Sequence, residues 1–276
     1  MPQITSDNLD ETIQINEMIA KEVNAHVQFI EKRRIKWKFL PIEEQAYAIL
    51  TEHHLIEVPI PDEDWGGAIR TFGNGKIMPI INTAQPRIYQ YFIYWHEIFH
   101  LTENEAMNKY STNYEISTKF DIRERKADYF ASQMIFGDSD LYDYYFSLHD
   151  DDFIVKIAHC MKSFKAPYKA VLIQLYQIAR QKDQPSLQSM IKSKFDYQPN
   201  FQQWCALFQQ HALDDALIRP SLVLNLSPIK IAIQQEIDRH PDVELYRENL
   251  ALIETWEKMY KEVQQREKER WNEELC

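Results

Sequence analysis

The chain has 276 residues, 45% of them hydrophobic, and a net charge of −11. That is enough for one large domain, or a domain with an extension, around a sizeable core; it is too acidic for an unaided grip on DNA or an anionic membrane. Five glycines against many Leu, Ile, Gln, Lys and Glu argue for a mainly α chain with little sheet. The three cysteines, Cys160, Cys205 and Cys276, show no Cys-x-x-Cys spacing and argue against a disulfide scaffold or a cysteine metal site. The start lacks a basic-then-apolar leader, and no apolar run nears the ~20 residues of a bilayer span. The expected setting is cytoplasmic, with no direct contact to membrane or nucleic acid.

Ser6 or Asp7 can cap a first helix running to about Lys36, where Leu9, Ile13, Ile19, Val23, Val27 and Ile30 recur at helical spacing. Pro41 with Glu43 and Glu44 reads as the first turn of a second helix ending near His54. The stretch GAIRTFGNGKIMPIINT holds two strand-like runs around Gly-Asn-Gly, a hairpin signal for a small antiparallel sheet. Pro79 within the second run places that strand at an edge, and strand 76–82 becomes a candidate for holding an extended substrate. Pro86 opens a helix through YFIYWHEIFHLTE, and another spans about 120–136 and stops at Gly137. Further helices are expected at 150–163, 167–182, 185–195, 199–217, 228–240 and from Val243 onward. The division is an N-terminal helix (1–40), a central domain (41–182) and a helical C-terminal extension (183–276).

The chemistry sits in the helix around residue 96. A helix turns about 100° and rises about 1.5 Å per residue, so His96 and His100 point to one spot a turn apart. Glu97 falls beside them. A helix apolar on nearly every side is buried, and buried charges must be paired or bound to a metal. This is the His-Glu-x-x-His arrangement of zinc peptidases: two imidazoles on Zn2+ and a glutamate that takes a proton from the attacking water. Gly is absent at 103 and His at 106, which excludes the metzincin pattern. A third ligand is needed. In IRERKADYFAS, Glu124, Ala127, Asp128 and Ala131 share one helical sector; the alanines permit close approach to a neighbouring helix. Glu124 is the preferred ligand, with Asp121, Glu103 and Glu115 as rivals. Asp128, one turn on, can accept from the outer nitrogen of His96 or His100.

The order KIMPIINT, Arg87, HEIFH and then Glu-x-x-Ala-Asp-x-Phe-Ala resembles the ImmA/IrrE family of gluzincin-type metallopeptidases over roughly residues 41–182. The resemblance implies a zincin-like core with His96, His100 and Glu124 on zinc and Glu97 as base. It also implies a protein substrate, a helix-turn-helix repressor cleaved to switch on a stress or mobile-element programme. Phe99 stands where the family often has Gly, and MIFGD replaces the usual end of the second helix.

Tyr110, Tyr114, His149 and His159 are candidate oxyanion donors, among which the sequence does not choose. The alternative to an enzyme is a non-catalytic regulatory protein stabilised by a four-ligand metal. A helix-turn-helix in 150–182 is disfavoured, because its second helix is mostly apolar. In the last helix Leu245, Leu252, Trp256, Met259 and Val263, with Asn249 between, form either a seam for a homodimer or a face packed on the N-terminal helix.

Overall fold

The computed structural model describes residues 3–62, 64–71, 77–105, 120–137 and 140–273. Its first helix, α1 (Leu9–Arg33), lays Ile13, Ile19, Val23 and Ile30 into the main core, then tightens into a short 3-10 turn at Arg34–Trp37. The expected cap differs: Ser6 gives its N–H and hydroxyl to the Asp196 carboxylate, and Asn8 precedes the helix without a side-chain cap bond. After α2 (Ile42–Glu52) comes the sheet: β1 (Ile56–Val58), β2 (Gly67–Thr71) and β3 (Ile77–Asn82).

The sheet order is β1-β3-β2, with β1 parallel and β2 antiparallel to β3. Two expectations are corrected here: the sheet is mixed, and β3 is central. Asn82 N–H donates to Gly66 O and Thr83 N–H to Val58 O, so even positions of β3 face β2 and odd ones face β1. The N–H that Pro79 lacks would point to the β1 side, one step before β1 begins to pair at Ile80. A strand of three residues leaves that gap, so proline is tolerated in the middle of the sheet. The outer side of β1 exchanges two backbone hydrogen bonds with Asn225. β2 is left as the edge, and among the described residues nothing pairs with its outer side.

The helix α3 (Arg87–Glu105) runs from the end of β3 and packs against α4 (Ile122–Phe136). Ala127 and Ala131 of α4 are fully buried, as the alanine face predicts. Gly137, at φ 60°, ends α4 in a conformation that suits glycine. Then follow α5 (Asp140–Ser147), which the sequence pattern did not reveal, α6 (Phe153–Phe164), α7 (Tyr168–Gln181), α8 (Pro185–Lys194) and α9 (Phe201–Gln210). The consecutive run from Ala170 to Ala179 on α7 is buried, so this helix cannot enter a DNA groove.

The N-terminal helix is part of the same core as α3, α4 and α7. Glu22 of α1 pairs with Lys126 of α4 at 2.7 Å, both buried, and His26 meets Thr102 Oγ1 of α3 at 2.6 Å. The C-terminal part is threaded just as closely. Residues 219–225 run under the start of α3, where Arg87 N–H donates to Arg219 O and Thr83 Oγ1 to Val223 O. Its last helices, α10 (Ser227–Arg239) and α11 (Glu244–Glu273), pair with each other and cover a second small core of Ile56, Val58 and Met78. On α11, Ile253 and Val263 turn inward, while Leu245, Leu252, Trp256 and Met259 are exposed. Packing of that row on the N-terminal helix is therefore corrected, since α1 is occupied by α4 and α7. No helix among the described residues is long and apolar enough to cross a membrane.

Candidate metal centre

Asn82 builds the entrance to α3. Fully buried, its side chain accepts from the N–H groups of Ile60 and Ala84 and donates to the carbonyls of Asp62 and Trp65. These four bonds draw the loop before β2 down onto α3. Gly67 thus comes so close that a Cβ there would stand 3.0 Å from Glu97 Oε1, Ile80 O and Ile93 Cγ2 alike. Only a glycine allows this approach without displacing the carboxylate.

His96, Glu97 and His100 lie buried on α3. Asp121 caps α4 by accepting from Arg123 N–H at 2.9 Å, which starts that helix where Glu124 faces the two imidazoles. His96 Nε2 and Glu124 Oε2 are 3.1 Å apart, the two Nε2 atoms 3.3 Å, and His100 Nε2 and Glu124 Oε1 3.5 Å. Two atoms each about 2.0–2.1 Å from a tetrahedral zinc stand about 3.3–3.4 Å apart. The three side chains therefore have the spacing of ligands around one small ion, and together they can hold a metal. The Glu124 side chain keeps 27% of its surface exposed, so the centre opens to solvent on the α4 side.

Both imidazoles are oriented from outside. His96 Nδ1 lies 2.9 Å from Asp128 Oδ1, and Arg125 holds the other oxygen of Asp128. His100 Nδ1 lies 3.0 Å from Glu103 Oε2, which also accepts from Arg123 Nε at 2.8 Å. Of the rival ligands, Glu103 is thus the outer partner of His100 and Asp121 is the cap of α4; Glu115 falls outside the described residues. The i,i+3 relation of His100 to Glu103 was visible in the sequence, whereas the roles of Arg123, Arg125 and Gly67 required the packing.

The electrostatics favour a cation. Burial opposes charging His96, but the Asp128 and Glu124 carboxylates outweigh it and push its pKa up to about 10. His100 is raised in the same way, against burial, by Glu103 and Glu124. Glu124 is held well below the usual carboxylate range by its hydrogen bonds to His100 and His96. Glu97 is different: burial raises its pKa, although the neighbouring imidazoles pull it down. Its Oε2 is buried with no hydrogen-bond partner among the described residues. A carboxylate left this way has a strong affinity for a proton.

Of the remaining candidates, His149 and His159 are not brought to the centre. Tyr110 and Tyr114 lie outside the described residues. His149 is exposed after α5, and His159 of α6 sets its ring against His211 with centroids 6.4 Å apart. Phe99 fills its position fully buried, with its ring 4.7 Å from His26 and 5.7 Å from Phe130. A bulky residue before His100 is what the N-terminal helix packs on. Comparison of the chain with protein-family models, with curated proteins and with solved structures finds no match.

Proposed function

We propose that the chain is a zinc-dependent endopeptidase with a zincin-like core, of the kind its motifs resemble. The observation that carries this reading is the pairing of a three-ligand cluster with a buried glutamate, Glu97, that is not part of it. Zinc bound by His96, His100 and Glu124 would polarise a peptide carbonyl and acidify a water. Glu97, with its raised proton affinity, accepts the proton of the attacking water and passes it to the leaving amine. Asp128 and Glu103 fix the imidazoles so that both Nε2 atoms face the metal position. The substrate strand is better assigned to β2 than to 76–82. β2 is the open edge and meets Glu97 at Gly67, so an extended peptide added to it would run past the base.

A protein substrate follows from this reading, and a basic helix-turn-helix repressor suits the acidic chain. A purely structural metal would take four protein ligands; three side chains meet here among the described residues. Homodimers would use the exposed row of Leu245, Leu252, Trp256 and Met259 on α11, which a solution mass tests.

The experiment is Glu97→Gln in the full chain, with bound metal and proteolysis measured together. The variant should retain about one zinc per chain and lose cleavage by the 10²–10⁴-fold that general acid–base catalysis supplies. Cleavage at the parent rate would remove Glu97 from the mechanism.

A further inference from the structure

A cavity of about 650 Å³ opens beside the turn of α3 that precedes Glu97. Gly66, next to the glycine that touches Glu97, lines it, as does Ile93, one turn before Glu97. A second wall comes from a part of the chain that the family resemblance does not reach: Phe201 and Trp204 of α9, and Trp271 in the last turn of α11. Trp271 stands edge-on to Phe201 with ring centroids 4.1 Å apart, so side chains from α9 and α11 form one aromatic surface. The space has the size of a ligand site, and its lining is mostly apolar, with Asp62, Asp64, Glu267 and Arg270 as its charged members.

We propose that this cavity recognises a large apolar or aromatic side chain of the peptide substrate, and that α9 and the end of α11 set this preference. The proposal rests on the peptidase reading above. Ile93 and Glu97 are four positions apart on α3, a rise of about 6 Å. An extended peptide advances about 3.3 Å per residue, so the recognised side chain falls within about two positions of the cleaved bond. The aromatic walls give a bulky apolar group contact area that a small residue cannot use.

The test has two arms. In the first, the zinc-loaded full chain cleaves a library of randomised peptides, and the products are sequenced by mass spectrometry. Phe, Trp, Tyr, Leu and Met should be enriched within two positions of the cut. The enrichment should fall at least fivefold in Trp271→Ala and in Tyr89→Ala, a second lining residue, with zinc content and melting curve retained. In the second arm, saturation-transfer NMR compares N-acetyl-phenylalaninamide with N-acetyl-glycinamide on the Glu97→Gln protein; the phenylalanine probe should bind, and bind less in the same two backgrounds. Cleavage without bulky preference, or a preference that both variants keep, overturns the proposal. Probe binding that depends on Trp271 without cleavage of any peptide leaves the recognition site standing and removes the peptidase reading instead.

Discussion

Asp128 lies 2.9 Å from Nδ1 of His96, and Glu124, one turn earlier on α4, lies 3.1 Å from Nε2 of the same ring. One turn of one helix thus supplies one candidate ligand and orients another. Removing the acceptor frees the ring to rotate and loses the tautomer that presents Nε2 to a metal. Asp128→Ala should weaken metal binding or activity about 10–100-fold, and Glu103→Ala should act similarly through His100. Chelator competition on each protein checks this; unchanged affinity in both would mean that packing alone holds the imidazoles.

Gly67 gives a steric test of the base. A methyl group there meets Glu97 Oε1, a backbone carbonyl and Ile93 at once. The first can move; the carbonyl cannot move without shifting β3. Gly67→Ala should cost about 1–3 kcal/mol as an overpacked site does, lower activity more than tenfold, and leave bound metal unchanged. Urea unfolding, turnover and metal analysis separate these effects, and full activity would show that Glu97 has room.

Most of this site was legible because its signals are local. Pro86, the apolar ring of residues around His96, and the alanines that share a face with Glu124 each act within one helix, where spacing fixes direction. The central place of β3 was not legible, because Pro79 reads as an edge signal until the shortness of β1 is known. With three residues, all buried, β1 has no alternation to detect. The integration of α1 was hidden for another reason: Glu22 and Lys126 look like surface charges in sequence, and only their shared burial makes them a pair. Asp121 and Glu103 appeared as ligands because a carboxylate near a motif has the right chemistry; the backbone of α4 and Arg123 claim them first.

Glu57 of β1 predicts a pH dependence. It is 4% exposed, its carboxylate meets the Tyr47 hydroxyl at 3.3 Å, and burial raises its pKa. Its proton is held more tightly in the folded than in the unfolded chain. The stability this contributes is present in acid and is lost as pH rises through the folded value. Glu57→Gln should therefore stabilise the protein at pH 7–8, on the order of 1 kcal/mol, and the gain should vanish near pH 4, where both side chains are neutral. Melting curves at the two pH values decide it, and an equal gain at both would trace the effect to packing rather than charge.

The buried pair of Glu22 and Lys126 ties the N-terminal helix to α4, the helix that carries Glu124. Burying two charges costs several kcal/mol each before their attraction is counted, so the pair need not stabilise the fold against an apolar replacement. Breaking it is another matter, since a buried charge then loses its ion-pair partner. Lys126→Met should cost about 3–5 kcal/mol, and Glu22→Leu with Lys126→Met should recover most of that loss. Because Lys126 lies between Glu124 and Asp128 on α4, the single variant should also lose metal affinity while the double variant regains it. Urea unfolding of the four proteins in the cycle, each with its metal content, tests both statements. A single-variant cost below about 1 kcal/mol would show that solvent reaches the pair, as it does in exposed ion pairs, and that α1 holds α4 through its apolar contacts alone.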